Sequence, residues 1–172
     1  DSTSINGTDL QLGRTSLPIS VVDPLTVSGT LTIENLPLAV AAGEQFVLVN
    51  NDGSDLISGR YDSTPNDTAV TLNGVQGVLS YYGGDGNDLA FVVTGNATID
   101  GTNDEDDFSV QRVTHADANL LQVFKGGTPI DSRPTSSFTT LTINGGDESD
   151  SLFVDYNGTG GFFSTPLTFN AG

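Results

Sequence analysis

The sequence predicts an all-β fold, either a β-solenoid or β-helix-like stack or an elongated β-sandwich, with no significant helix. Three observations lead there. Apolar and polar residues alternate at period two through most of the 172 residues. The 21 glycines and 7 prolines punctuate the chain too densely for a long helix. Of the 22 acidic residues, 18 are Asp and 4 are Glu, which puts acid where turns use it, because the short Asp carboxylate bonds backbone two residues on.

Taken in order, the segment 2–12 is short, polar and alternating, and suits an edge strand. Leu25, Val27, Leu31 and Ile33 then share one side of a strand, with Thr26, Ser28, Thr30 and Thr32 opposite, the pattern of a half-buried strand. Further strands are expected at 46–49, 56–61, 69–72, 75–82, 89–94, 108–113, 120–124, 138–143, 152–155 and 167–169, all rich in Val, Ile, Thr and Phe. Only 36–42 suits a helical turn, between Pro37 and Gly43. A soft boundary near 95–101 divides the chain. Residues 1–95 form one β-rich repeat unit that ends in a Gly-Gly-Asp-Gly-Asn-Asp turn. Residues 96–172 form a second, expected to stop within a repeat. Alternation persists at 97–99, so the boundary is not a flexible linker.

Five basic residues face the 22 acids, for a net charge of −17. Such a chain repels nucleic acid and anionic membranes and attracts cations. Without cysteine, neither a disulfide framework nor a thiolate metal site is possible. No apolar run approaches the ~20 residues of a membrane-spanning helix. The chain opens at Asp1, without Met or a signal-peptide pattern, and reads as a processed form or a fragment.

The chemistry concentrates in four Asp-x-x-Asp turns that precede apolar residues: Asp52/Asp55, Asp85/Asp88, Asp104/Asp107 and Asp147/Asp150. Asp carboxylates and turn carbonyls are the hard oxygens that calcium takes in sets of six to eight. Asp85, Asp88, Asp147 and Asp150 are the foremost candidate ligands, because glycines precede them. Gly83-Gly84-Asp85-Gly86-Asn87-Asp88 and Gly145-Gly146-Asp147-Glu148-Ser149-Asp150 resemble the G-G-x-G-x-D repeats of hemolysin-type calcium-binding β-rolls, which implies calcium as the bound ion. The copies here are isolated rather than in tandem, so each is a half-site needing ligands from elsewhere.

A second resemblance covers 25–172. It rests on Gly43-Glu44-Gln45-Phe46-Val47-Leu48-Val49-Asn50-Asn51-Asp52 and Ile57-Ser58-Gly59-Arg60-Tyr61. It continues through Val78-Leu79-Ser80-Tyr81-Tyr82 into the Gly-Asp turn, then Leu141-Thr142-Ile143-Asn144 and Leu167-Thr168-Phe169-Asn170. These are similar to repeat units of very large bacterial surface proteins, the autotransporter-associated β-strand and planctomycete-type giant-protein repeats. The resemblance implies a β-solenoid, a secreted or cell-surface location in a bacterium, and a structural or adhesive role stiffened by calcium.

The chain is not read as an enzyme. His115 beside Asp117 has no serine elbow or cysteine nucleophile to serve. A polysaccharide-degrading β-helix would need basic residues for its anionic substrate. Two alternatives to the structural and adhesive role stand beside it: a subunit that self-assembles into an extracellular filament by β-strand addition, and a carbohydrate-binding or polysaccharide-degrading module. The corresponding partners are calcium, a second copy, or a glycan at a cell surface; neither nucleic acid nor membrane insertion is expected.

Overall fold

The computed structural model describes residues 3–11, 18–22, 24–34, 40–62, 64–72 and 74–172, with backbone alone for 3–11 and 32–34. The described residues are all-β, with no helix. Of the stretch expected to make a helical turn, 36–39 lies outside the described residues, and Ala42–Gly43 is a tight turn. Residues 2 and 12 of the expected edge strand also lie outside.

Among the described residues, fifteen strands build four sheets. β1 (Thr3–Gln11), β3 (Leu25–Glu34) and β5 (Ser58–Gly59) form a parallel sheet in the order β1-β3-β5. β2 (Ile19–Val21) runs parallel to β4 (Gln45–Asn51). From β4 the same sheet continues antiparallel through β8 (Asp88–Val93), β7 (Val75–Gly83) and β6 (Thr68–Leu72). β9 (Gly95–Asp100), β13 (Phe138–Asn144) and β15 (Leu167–Asn170) form a second parallel sheet, with β13 in the middle. β10 (Asp107–His115) lies between β11 (Ala118–Lys125) and β14 (Ser151–Asp155), and β12 (Thr128–Pro134) closes the far side of β11.

Two departures from the sequence expectation have simple causes. The strand expected over 56–61 shrinks to Ser58–Gly59, because Leu56 is exposed and the Tyr61 N–H donates to the Tyr81 hydroxyl at 3.0 Å rather than to β3. β12 was not expected. Its run Thr128-Pro129-Ile130-Asp131-Ser132-Arg133-Pro134 carries two prolines, yet it sits at a sheet edge, where a missing N–H is tolerated.

The parallel strands of the second half align residue by residue. Ala97, Leu141 and Leu167 are mutual Cα partners along β9, β13 and β15, as are Thr98, Thr142 and Thr168, then Ile99, Ile143 and Phe169. Across the corner, Asp107 of β10 pairs with Ser151 of β14. The step is 44 residues on both sides of the corner. Thus from Ala97 onward β9–corner–β10 lies upon β13–corner–β14 in constant register, and the β11–β12 hairpin is an excursion from the first layer. Along β9, β13 and β15 the apolar residues point inward and the alternating threonines outward: Ala97, Leu141 and Ile143 are fully buried, while Thr98 and Thr168 are exposed.

Two apolar clusters result. Leu48, Val49, Leu79, Tyr81, Leu89 and Phe91 centre the first, and every residue of β8 is buried. Phe108, Val110, Val123, Leu141 and Ile143 centre the second. β11 is shared between them: Leu120 belongs to the first cluster and Leu121 to the second, as opposite faces of one strand require. That is why Asn119-Leu120-Leu121-Gln122-Val123-Phe124 shows no clean alternation.

The stacking constrains the corners sterically. Gly146 has φ +129°, and a Cβ there would lie 1.7 Å from the Thr102 carbonyl oxygen of the layer beneath. Gly126 has φ +56° and open space around it. Gly146→Ala is therefore expected to cost several-fold more stability than Gly126→Ala, which should lose about 1 kcal/mol from its left-handed backbone alone. Urea melts of the two variants, side by side, check the ranking.

Candidate functional site: the acidic glycine corners

Three of the four acidic turns sort their carboxylates into one that turns inward and others that face water. In the hairpin turn between β7 and β8, Asp88 is buried, and its Oδ1 accepts the Asn51 backbone N–H at 2.8 Å. Burial raises its pKa to about 6; the Asn51 hydrogen bond opposes this and the Asp85 charge adds to it. Gly84, at φ +58°, leaves the room this carboxylate occupies, since a Cβ would fall 1.9 Å from Asp88 Oδ2. Asp85 is exposed. The neighbouring turn at 52–55 is tied to the same place: Asn87 Nδ2 donates to the carbonyls of Gly53 at 3.0 Å and Asp55 at 3.3 Å. Asp52 and Asp55 expose their side chains and contribute only backbone groups to these contacts.

The corners at 101–106 and 145–150 stack on one another. Asp150 Oδ1 accepts the Asp106 N–H at 2.8 Å, and Ser151 Oγ donates to Asp107 Oδ1 at 2.6 Å. Asp106 is the inward residue of its turn. Its Oδ2 accepts from the Thr102 N–H at 2.7 Å and the Thr102 hydroxyl at 3.0 Å, and Lys125 Nζ stands 3.5 Å from Oδ1. The Thr102 backbone hydrogen bond is the main reason its pKa lies below the usual carboxylate range. Asp104, Asp107 and Asp147 are exposed, and Asp150 is half-buried.

The structure thus joins Asp88 to the 52–55 turn and Asp107 and Asp150 to each other's layers. The two groups remain separate corners. Among the described residues, no three His, Asp or Glu side chains converge as a ready-made metal cage. Asp150 Oδ2 is nevertheless buried with no hydrogen-bond partner. Asp106, the best-anchored acid, is absent from the Asp-x-x-Asp set. The signal that finds it is Gly-x-x-x-x-Asp, present at Gly83/Asp88, Gly101/Asp106 and Gly145/Asp150.

A second polar cluster joins β7 to the β10–β11 turn. Arg60 reaches Asp117 at 2.8 Å and the Tyr82 hydroxyl at 2.7 Å; that hydroxyl donates to Asp117 Oδ1 at 2.7 Å. His115 stacks on Tyr82 with ring centroids 4.2 Å apart, and burial lowers its pKa against the opposing charge of Asp117. His115, Asp85, Asn87, Ser54 and Gln122 line a cleft of about 270 Å³. No cationic side chain lines it. All four described basic residues are engaged: Arg60 and Lys125 as above, Arg133 with Asp131 and the Gly43 carbonyl, and Arg112 with Asn119 and the Phe162 carbonyl. Tyr81, Tyr82 and Phe163 are buried, and Phe162 is exposed against Tyr156.

No family model, curated protein or solved structure matches the chain.

Removing an inward carboxylate strands an N–H. Asp88→Ala and Asp150→Ala are each expected to cost about 1–3 kcal/mol. Alanine at exposed Asp52, Asp85, Asp104 or Asp147 should stay within about 0.5 kcal/mol. Urea melts in chelator check the contrast. Asp67 supplies a pH test. Burial, then the charge of Asp117, raises its pKa to about 6, against an opposing hydrogen bond from Asn66. A raised carboxyl pKa favours the folded state most below its unfolded value of 3.8, and that advantage is lost as pH rises through about 6. Asn tolerates the residue's φ of +59°. The stability of Asp67→Asn relative to wild type should therefore grow between pH 4 and 6 and level off above, as read from thermal melts across that range.

Proposed function

We propose that the chain is a β-solenoid-type structural segment of an extracellular, bacterial cell-surface protein, with a scaffolding or adhesive role and calcium held at its acidic corners. The observation that carries the reading is the 44-residue step kept on both sides of one corner, with strand, glycine corner and strand repeated in register. Stacked layers of this kind bury a continuous core and make a rod. The engagement of every described basic residue in internal contacts suits a scaffold better than an enzyme acting on an anionic substrate.

Calcium suits the 145–150 corner through its donor set. Asp150 offers a buried oxygen without a partner, and Asp147 faces outward beside it in sequence. Asp104 and Asp107 belong to the corner one layer below. With no cage of three side chains, an ion there completes its shell from backbone carbonyls and water. Bound calcium would supply positive charge against the repulsion between exposed carboxylates, and its affinity for the folded state adds stability by mass action. Asp85, Asp88, Asp52 and Asp55 form the other proposed acidic site, where Asp88 is already committed to the Asn51 N–H.

Thermal melts in calcium, in magnesium and in EGTA test this. The midpoint is expected to rise with calcium by more than with magnesium at equal ionic strength, and to fall back with EGTA. In the variant Asp104→Asn with Asp147→Asn, most of the calcium response should vanish while the midpoint in EGTA holds or rises. A midpoint indifferent to calcium would remove the ion from the proposal.

A further inference from the structure

We propose that the cleft between the acidic turns of the first half and strands β10–β12 of the second binds one uncharged sugar ring of a neutral glycan. The proposal adds a ligand class to the structural reading above, and it does not draw on calcium at the corners.

The cleft holds about 270 Å³. Ligand pockets start at about 300 Å³, so this one suits a single ring rather than a chain of them. Leu56 and Asp85 stand on one wall. Val113 and His115 of β10, Gln122 of β11 and Pro129 of β12 make the other. Both walls are fixed in advance of any ligand. Asn87 Nδ2 donates to the Gly53 and Asp55 carbonyls, which holds the 52–55 turn against the β7–β8 turn that carries Asp85. His115 lies flat on Tyr82, the rings 3° from parallel, and the Tyr82 hydroxyl is tied to Asp117. Gly86 lets the walls approach, since a Cβ there would lie 2.8 Å from Gln122 Nε2. A site ordered beforehand loses little entropy when it binds.

The lining pairs apolar with polar side chains. Leu56 is 46% exposed, and Val113 and Pro129 extend its apolar surface across the cleft. A sugar ring sets its C–H face on such a surface and points hydroxyls from its rim. The polar groups are of both kinds. The Asp85 carboxylate accepts hydrogen bonds, Gln122 donates and accepts, and a neutral imidazole has one nitrogen for each. Gln122 Nε2 reaches Ser132 Oγ only at 3.5 Å, which leaves its amide available to a ligand.

That mixture selects against charge on the ligand. A hydroxyl donates and accepts, so one ring can satisfy the carboxylate, the amide and the imidazole together. An ammonium group only donates and leaves the Gln122 N–H unmet. A carboxylate, sulfate or phosphate only accepts. It would face Asp85 in a chain of net charge −17, with no cationic side chain in the cleft.

The test is an NMR titration of the isotopically labelled chain in EGTA, so that the fate of the calcium reading leaves the outcome untouched. The neutral probes are the methyl glycosides of glucose, galactose and mannose, and N-acetylglucosamine. Glucosamine and glucuronate are the charged controls. The expected result is saturable binding of at least one neutral probe in the millimolar range, with shifts centred on Asp85, Gly86 and the Gln122 side-chain amide. Both charged controls should bind at least several-fold more weakly. Asp85→Ala and Gln122→Ala should each weaken binding at least several-fold, while Asp104→Ala, at an exposed acid of another corner, leaves it unchanged. The spectrum of each variant reports its fold in the same experiment. A cleft silent to every neutral probe at tens of millimolar overturns the proposal. So does a preference for glucosamine or glucuronate, or binding that survives both Asp85→Ala and Gln122→Ala undiminished.

Discussion

The structure depends on keeping parallel layers in step where the chain turns a corner. A strand leaves the ladder at each corner, and the backbone N–H groups there lose their partners. In this chain the carboxylate of an inward-turned Asp takes over. Asp106 receives the Thr102 N–H, and Asp150 the Asp106 N–H of the adjacent layer; at the antiparallel β7–β8 hairpin Asp88 does the same for the Asn51 N–H of β4. A glycine opens the space each carboxylate needs: a Cβ at Gly84, Gly101 or Gly145 would crowd that same Asp. Glycine and aspartate are thus one device, and the spacing between them is set by the geometry of the turn.

This device divides the acidity of the chain into two populations. Inward acids are hydrogen-bonded parts of the scaffold, and their environments pull in opposite directions: burial raises the pKa of Asp88, while hydrogen bonds lower that of Asp106. Outward acids such as Asp85, Asp104 and Asp147 hold the surface charge. Few cations offset them, and those described are spent inside. Arg133 joins Asp131 to the Gly43 carbonyl across the two halves of the chain, and Arg60 joins Tyr82 to Asp117 in the same sense. The exposed face is left with the cation-attracting character on which a calcium role draws.

The all-β class and most strands were legible because alternation reports one-sided burial directly, as in Leu141-Thr142-Ile143. β11 was legible as apolar but not as a strand shared by two cores, since nothing in a sequence says what packs on each face. Four acidic turns were legible as turns. The identity of the inward acid in one of them was not: Asp104/Asp107 fits the Asp-x-x-Asp frame, yet Asp106 is the residue that turns in, at the fifth position after Gly101. The Arg60–Tyr82–Asp117 cluster was invisible because its members are brought together only by tertiary packing.

Successive layers share backbone hydrogen bonds at the corner. The direct measurement is NMR scalar coupling across hydrogen bonds in the isotopically labelled chain. Couplings are predicted between the Gly101 amide nitrogen and the Asn144 carbonyl carbon, and between the Gly145 nitrogen and the Asn170 carbon. Their absence, with both amides exchanging as fast as free peptide, would contradict the account.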